Sequence, residues 1–216
     1  MARNLVGGLL ALLGLAIAAP SPAYDLVGSG GVGIRGGSLI FTQDKQVKDA
    51  ASARLSGDLT FSYVYSDHIT ADVITGYGWS RLDTGNDQYW LVTSVPITLG
   101  ARYALKDGKV YRPFIGAGGG MYVWSILTRR LDVTKDQTTF ERLRRADFGF
   151  YGTAGVERRM SKHITMIGDG SYHYILSKDT ADFPNGFNGN KGYYQFRLGL
   201  ALYFSTSERI DSGLPE

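Results

Sequence analysis

The chain of 216 residues carries 23 basic and 20 acidic side chains, a formal net charge of +3 and no cysteine. That length suits one domain with a sizeable core. The mixed charge lacks the basic blocks of a nucleic-acid binder, and the missing thiols exclude disulfides, a cysteine zinc centre, a thiol nucleophile and a lipid-modified N-terminal cysteine. 

The first element is an apolar run from Leu5 to Ala19, preceded by Arg3 and followed by Pro20, Ser21, Pro22 and Ala23. It is shorter than the roughly 20 residues a membrane-spanning helix needs and it ends in small residues, as secretory signal peptides do. Residues 1–23 are therefore expected to be removed by cleavage after Ala23, with Ala18 or Ala19 as the alternative.

Beyond this run, glycine (29), tyrosine (14) and phenylalanine (10) are abundant and proline (6) is scarce, a balance that favours strands. Period-two segments recur at 28–41, 54–66, 69–81, 89–104, 111–126, 146–160, 164–176 and 191–204. Each exceeds the roughly 5–6 residues of an ordinary soluble strand and reaches the about 9–11 that a tilted strand needs to cross a bilayer. In the second, Leu55, Leu59, Phe61, Tyr63 and Tyr65 alternate with Ser56, Asp58, Thr60, Ser62 and Ser66. The third sets Ile69, Ala71, Val73, Tyr77 and Trp79 against Thr70, Asp72 and Ser80, and the last sets Tyr194, Phe196, Leu198, Leu200, Leu202 and Phe204 against Gln195 and Arg197.

A soluble sandwich would alternate in the same way with its apolar face turned inward, so the connections decide. Short links at Asp67-His68, Leu105–Val110 and Ser161–His163 alternate with longer ones after the first strand, at Leu82–Gln88, at Leu127–Arg145 and at Ser177–Asn190. Short turns on one rim and long loops on the other describe an all-β, eight-stranded antiparallel up-and-down transmembrane β-barrel over residues 24–204, with 205–216 as a short periplasmic tail. Tyr63, Tyr65, Tyr103 and Phe204 are expected to form an inner aromatic girdle, and Tyr89, Trp90, Tyr122, Trp124, Phe148, Phe150, Tyr172, Tyr174, Tyr193 and Tyr194 an outer one.

The other face then fills the lumen with Arg35, Asp58, Asp72, Arg102, Glu157, Asp169, His173, Gln195 and Arg197, whose charges nearly balance. An eight-stranded barrel is just wide enough to be filled by its own side chains, so a plugged, salt-bridged interior is expected. Asp169 and Ser171 precede His173 on the same face of one strand, but alternate positions there lie about 6–7 Å apart, which is expected to be too far for a direct hydrogen bond. His68 and His163 fall in separate turns without metal-site spacing. No catalytic residue, cofactor or metal ligand is assigned. The PFIGAGGGMY run lacks a P-loop lysine and reads as close strand packing, with the facing of its strand left open. In the longest expected loop, 127–145, Arg129, Arg130, Arg142, Arg144 and Arg145 form a basic apron suited to anionic lipopolysaccharide groups or a host polyanion.

VPITLGARYAL (95–105) followed by YRPFIGAGGGMYV (111–123) resembles the fourth and fifth strands of the small outer-membrane barrels of the opacity, OmpX/Ail and OmpW groups. The resemblance implies a bacterial outer-membrane address, recognition by the barrel-assembly machinery and contact with outer-membrane lipids and lipopolysaccharide. It also makes Arg197, Gly199, Leu202 and Phe204 a terminal insertion signal, although in that family the aromatic usually ends the chain and here Ser205 to Glu216 follow. The implied role is a monomeric, non-enzymatic surface-interaction or envelope-integrity protein. A narrow channel and a lipid A-modifying enzyme are the alternatives, and the histidine and serine two apart on a lipid-facing strand, which lipid A deacylases use, find no counterpart in a lumen-facing His173.

Overall fold

The computed structural model describes residues 26–42, 54–85, 88–105, 111–132, 137–178 and 189–205. The expected signal segment and the tail beyond 205 lie outside them. Strands β1 (Ser29–Phe41), β2 (Arg54–Val64), β3 (Ile69–Gly85), β4 (Gln88–Ala104), β5 (Tyr111–Asp132), β6 (Gln137–Arg159), β7 (Ile164–Leu176) and β8 (Lys191–Ser205) follow one another around a closed antiparallel barrel. The ring closes where β1 pairs with β8, from Ser29↔Ser205 to Phe41↔Tyr193. Closure removes every sheet edge within the barrel wall, as a spanning sheet requires when no water is present to satisfy backbone groups.

Alternation fixes which side chains meet lipid. On β8, Phe196, Leu198, Leu200, Leu202 and Phe204 are exposed while Gln195 and Arg197 are buried. On β2, Leu55, Leu59, Phe61 and Tyr63 are exposed while Ser56, Asp58, Thr60 and Ser62 are buried. The exposed apolar residues of these strands form the outer wall, and the polar ones turn into the lumen.

The inner rim is built from short turns, two of which repeat a sequence. Ser66-Asp67-His68-Ile69-Thr70 and Ser161-Lys162-His163-Ile164-Thr165 fold alike. In each, the serine Oγ accepts from the isoleucine amide at 3.1 Å. The histidine then reaches the neighbouring strand end, where Nδ1 of His68 donates to the Ala104 carbonyl at 3.1 Å and Nδ1 of His163 donates to the Tyr203 carbonyl at 3.0 Å. The strand ends donate in return, Ala104 N to His68 O at 2.8 Å and Tyr203 N to His163 O at 2.7 Å. Each histidine is thus a clasp on the rim.

The outer rim departs from expectation at two links. β5 and β6 run to 22 and 23 residues and pair as far as Asp132↔Gln137, so most of the expected 127–145 loop is a hairpin standing above the barrel. β3 and β4 likewise pair up to Gly85↔Gln88. Runs such as LTRRLD and QTTFERLRR carry charged residues that read as loop, yet once β5 and β6 are in register below, each further residue pair adds ladder hydrogen bonds without a new closure cost.

Candidate functional site

Inward-facing residues stack in layers along the barrel axis. Nearest the inner rim, Phe114, Ile167, Ala201 and Tyr203 pack with Val64 and Leu26 into a buried apolar cluster. Against it lies the first charged layer. Arg102 donates from Nε to Asp72 Oδ2 at 2.5 Å and from Nη2 to Asp72 Oδ1 at 2.9 Å, and its Nη1 bonds Glu157. Ser62 donates to Asp72 at 2.7 Å, and the Arg102 guanidinium sits 5.3 Å from the Phe114 ring centroid. Below, Arg112 bonds the Asp67 carbonyl.

The second charged layer joins four strands. Arg197 donates from Nη1 to Asp58 at 3.0 Å and from Nε to Asp169 at 3.0 Å, with Nη2 also on Asp169. Arg35 reaches the other Asp169 oxygen at 3.2 Å. Gln195 donates to Ser56 at 3.0 Å and to Asp58 at 3.2 Å. Asp58, Asp72, Glu157 and Asp169 are thereby each held by Arg35, Arg102 or Arg197, all buried, while the buried cations Arg112, Arg158 and Lys191 lie towards the two rims and meet carbonyls or rings. A buried charge without a partner costs several kcal/mol, so the pairing of each of these four acids with a guanidinium is a condition for this filling to exist. Every residue expected in the lumen network does face inward.

His173 is brought into the lumen but not onto the charges. Its ring is stacked between Tyr193, with centroids 4.5 Å apart, and Tyr151, at 5.3 Å. Nδ1 lies 2.9 Å from the Tyr122 hydroxyl, and Nε2 lies 3.0 Å from Ser171 Oγ. The second distance corrects the expectation that Ser171 and His173 are too far apart to bond. Spacing along a strand sets the Cβ separation, but an imidazole lying along the strand axis covers most of it. Asp169 does not complete a triad, because it serves Arg35, Arg197 and Thr153 instead.

Nearest the outer rim, Tyr122, Trp124, Ile126, Val92, Leu39, Phe41, Ile175 and Tyr193 form a second buried apolar cluster. Trp124 donates from Nε1 to Asp147 at 2.8 Å, and Lys191 Nζ lies 3.8 Å above its ring. Tyr122, Trp124 and Tyr193 therefore leave the expected outer girdle, since they point inward and each is at most 2 % exposed. The phase of β5 explains the first two: Met121, Ile115 and Tyr111 take the lipid side. Tyr193 shares the inward parity of Gln195 and Arg197, a signal that was present in the sequence. Phe148, Phe150, Tyr172, Tyr174 and Tyr194 do face out, as do Tyr63, Tyr65, Tyr103 and Phe204 at the inner end. The side chains of Tyr89 and Trp90 lie outside the described residues.

The glycine run of β5 makes room for this filling. A Cβ on Gly118 would meet the Tyr151 ring and the Leu99 carbonyl, both at 2.5 Å. Gly199 has the same role beside Arg35, where a side chain would overlap the Ile34 carbonyl. Of the insertion-signal residues, Arg197 and Gly199 face the lumen side, and Leu202 and Phe204 the lipid side.

The basic apron is divided by the hairpin. Arg142 and Arg144 are exposed on the same strand face as Phe148 and Phe150. Arg145 is turned the other way, donating to Asp147 at 2.9 Å and to the Lys178 carbonyl at 2.9 Å. Arg129 and Arg130 are in the β5 ladder opposite Phe140 and Thr139, with side chains outside the described residues. Among the described residues no group of three His, Cys, Asp or Glu side chains could hold a metal ion.

A closed barrel with an apolar exterior, two aromatic rows and a filling of ion-paired side chains is a membrane β-barrel. Its fold is that of the small eight-stranded outer-membrane proteins. Neisserial surface protein A matches 82% of this chain and 99% of its own at 12% identity with a TM-score of 0.56. The attachment invasion locus protein Ail of Yersinia pestis (82% and 99%, 12% identity, TM-score 0.46) and the outer membrane protease OmpT of Escherichia coli (82% and 97%, 8% identity, TM-score 0.47) are also similar. No protein-family model matches the sequence, and no curated protein does.

Proposed function

We propose that the chain is a bacterial outer-membrane protein, secreted through a signal peptide at 1–23, whose barrel is a filled, non-enzymatic post for surface interaction or envelope integrity. The observation that carries this reading is the order of layers in the lumen: two charged layers and the Tyr–His–Tyr stack are closed between the apolar clusters of Val64, Phe114 and Tyr203 and of Leu39, Trp124 and Ile126. A conduit needs a wetted path, and each cluster places buried aromatic rings across it.

Against the enzymatic alternative, the Ser171–His173 pair faces the lumen with no carboxylate on the ring, and His173 is 3% exposed. A lipid substrate has no approach to it. Outside, Arg142 and Arg144 stand above the Phe148 and Phe150 belt, at the level where the phosphates of lipopolysaccharide headgroups lie, and guanidinium forks suit phosphate oxygens. The remaining partners of this reading are the barrel-assembly machinery, a host or surface ligand for the hairpin, and no second subunit.

Planar-bilayer recordings test the filled barrel. Wild-type protein gives no reproducible unitary current, and neither do the Arg102→Ala and Arg197→Ala proteins that fold. Steady unitary currents altered by these substitutions would establish the channel instead. Lipid A from cells expressing the protein keeps its acyl composition, and a shortened or added chain would establish the enzyme.

A further inference from the structure

The lipid-facing wall is not uniformly covered by side chains. On β1 and β2, Gly36 and Gly57 sit directly opposite one another, and both point outward, in phase with exposed Ile34 and Leu59. A Cβ at either glycine would find nothing nearer than a backbone oxygen at 3.9 Å. The missing side chains leave a groove of about 680 Å³ floored by this glycine pair and walled by Ile34, Leu59, Tyr77 and Leu200. Tyr77 is the cross-strand partner of Gly57, and Leu200 that of Ile34, so the walls belong to β3 and β8 on either side. The notch is four strands wide and one residue deep.

We infer that this groove is a binding site for one acyl chain of an outer-leaflet lipid. Its depth in the bilayer argues for that occupant. Val64 ends β2 at the inner rim between the exposed rings of Tyr63 and Tyr65. From there to Gly57 the strand climbs roughly 16 Å, at about 3.3 Å per residue and a tilt near 45°. That lies in the outer half of an apolar band about 25 Å tall. Its floor is the β1–β2 ladder, whose amides and carbonyls already pair with one another, and its walls are aliphatic and aromatic. The hydroxyls of Thr75 and Tyr77 are the polar outward-facing groups of its lining, too few to anchor the backbone of a peptide, whereas an extended methylene chain needs no polar partner. Within a bilayer one apolar surface is no greasier than another, so retention comes from van der Waals packing. A groove contacts a chain on three sides where a convex wall contacts it on one.

The test is native mass spectrometry of the full chain in detergent, incubated with hexa-acylated lipid A or with palmitoyl-oleoyl phosphatidylethanolamine. The folded wild-type barrel retains one lipid A. Gly57→Phe, which fills the floor, lowers the retained fraction about tenfold, the ratio that a loss of packing worth about 1.4 kcal/mol produces. Gly36→Leu is the second groove variant, should the larger ring prevent folding. Gly152→Phe is the control, since Gly152 is exposed on β6 with nothing within 4 Å of its Cβ position; it leaves retention unchanged. Equal retention by wild type and both groove variants overturns the inference. So does retention of phosphatidylethanolamine alone, which would put the source in the inner leaflet, or a dimer abolished by the groove variants, which would make the occupant a second copy.

Discussion

Asp169 is the carboxylate on which the second charged layer turns. It accepts from Arg35 at 3.2 Å, from Arg197 Nε at 3.0 Å and from Thr153 at 3.2 Å, and its side chain is fully buried. Asp169→Ala leaves two guanidinium groups sharing a layer in which Asp58 is the remaining acid. Breaking a buried pair by removing one partner costs about 3–5 kcal/mol, most of it the desolvated charge left behind, and that is the expected loss here. Urea titration of the protein folded in lipid vesicles, followed by tryptophan fluorescence, measures it as a shift in midpoint at constant m-value. The companion variant sharpens the reasoning. Arg35 is held less well than Arg197, because its Nε and Nη2 have no hydrogen-bond partner among the described residues. Adding Arg35→Met to Asp169→Ala restores one cation facing one anion and recovers about 0.5–3 kcal/mol, the range of coupling seen between contacting residues. A loss below about 1 kcal/mol for Asp169→Ala, or a further loss on adding Arg35→Met, would refute the account of the layer as a neutralised unit.

Three further outcomes follow from named contacts. Gly37→Ala blocks assembly, because its Cβ would overlap the Phe196 carbonyl across the β1–β8 seam; the heat-modifiable folded band on a gel is absent. Gly152→Ala, with open space around it, stays within about 0.5 kcal/mol of wild type in the same urea titration. His68→Ala and His163→Ala each remove one rim clasp and cost about 0.5–1.5 kcal/mol, and because the two turns are separated by four strands the double variant loses the sum to within about 0.5 kcal/mol.

Much of the architecture was legible because the bilayer imposes a strict code. A strand that faces lipid on one side and a filled lumen on the other must alternate, and β2, β7 and β8 do so, so their faces and the inward set of Asp58, Asp169 and Arg197 could be read directly. Where the code is weak the reading failed. β5 passes through Gly116, Gly118, Gly119 and Gly120, which carry no facing information, and aromatic Tyr122 and Trp124 beyond them suit either a girdle or a core. The 127–145 stretch scatters Leu131, Phe140 and Leu143 among charged residues without alternation, so its period-two signal vanishes even though its ladder persists. The Ser171–His173 bond depends on a side-chain rotamer, which spacing cannot fix. The repeated Ser-x-His-Ile-Thr turn was present in the sequence, and its meaning emerges only once the histidine is seen to reach a strand distant in the chain.

The claim beneath all of this is the direction of facing, and the absence of cysteine allows it to be measured cleanly with single cysteines placed along β8 from 194 to 204 and labelled with a nitroxide. In vesicles, collision with lipid-soluble oxygen is expected to peak at 196, 198, 200 and 202 and fall at 195 and 197, while a water-soluble nickel reagent reaches none of the four peak positions. Nickel access at 198 and 200, with oxygen access highest at 195 and 197, would contradict the account.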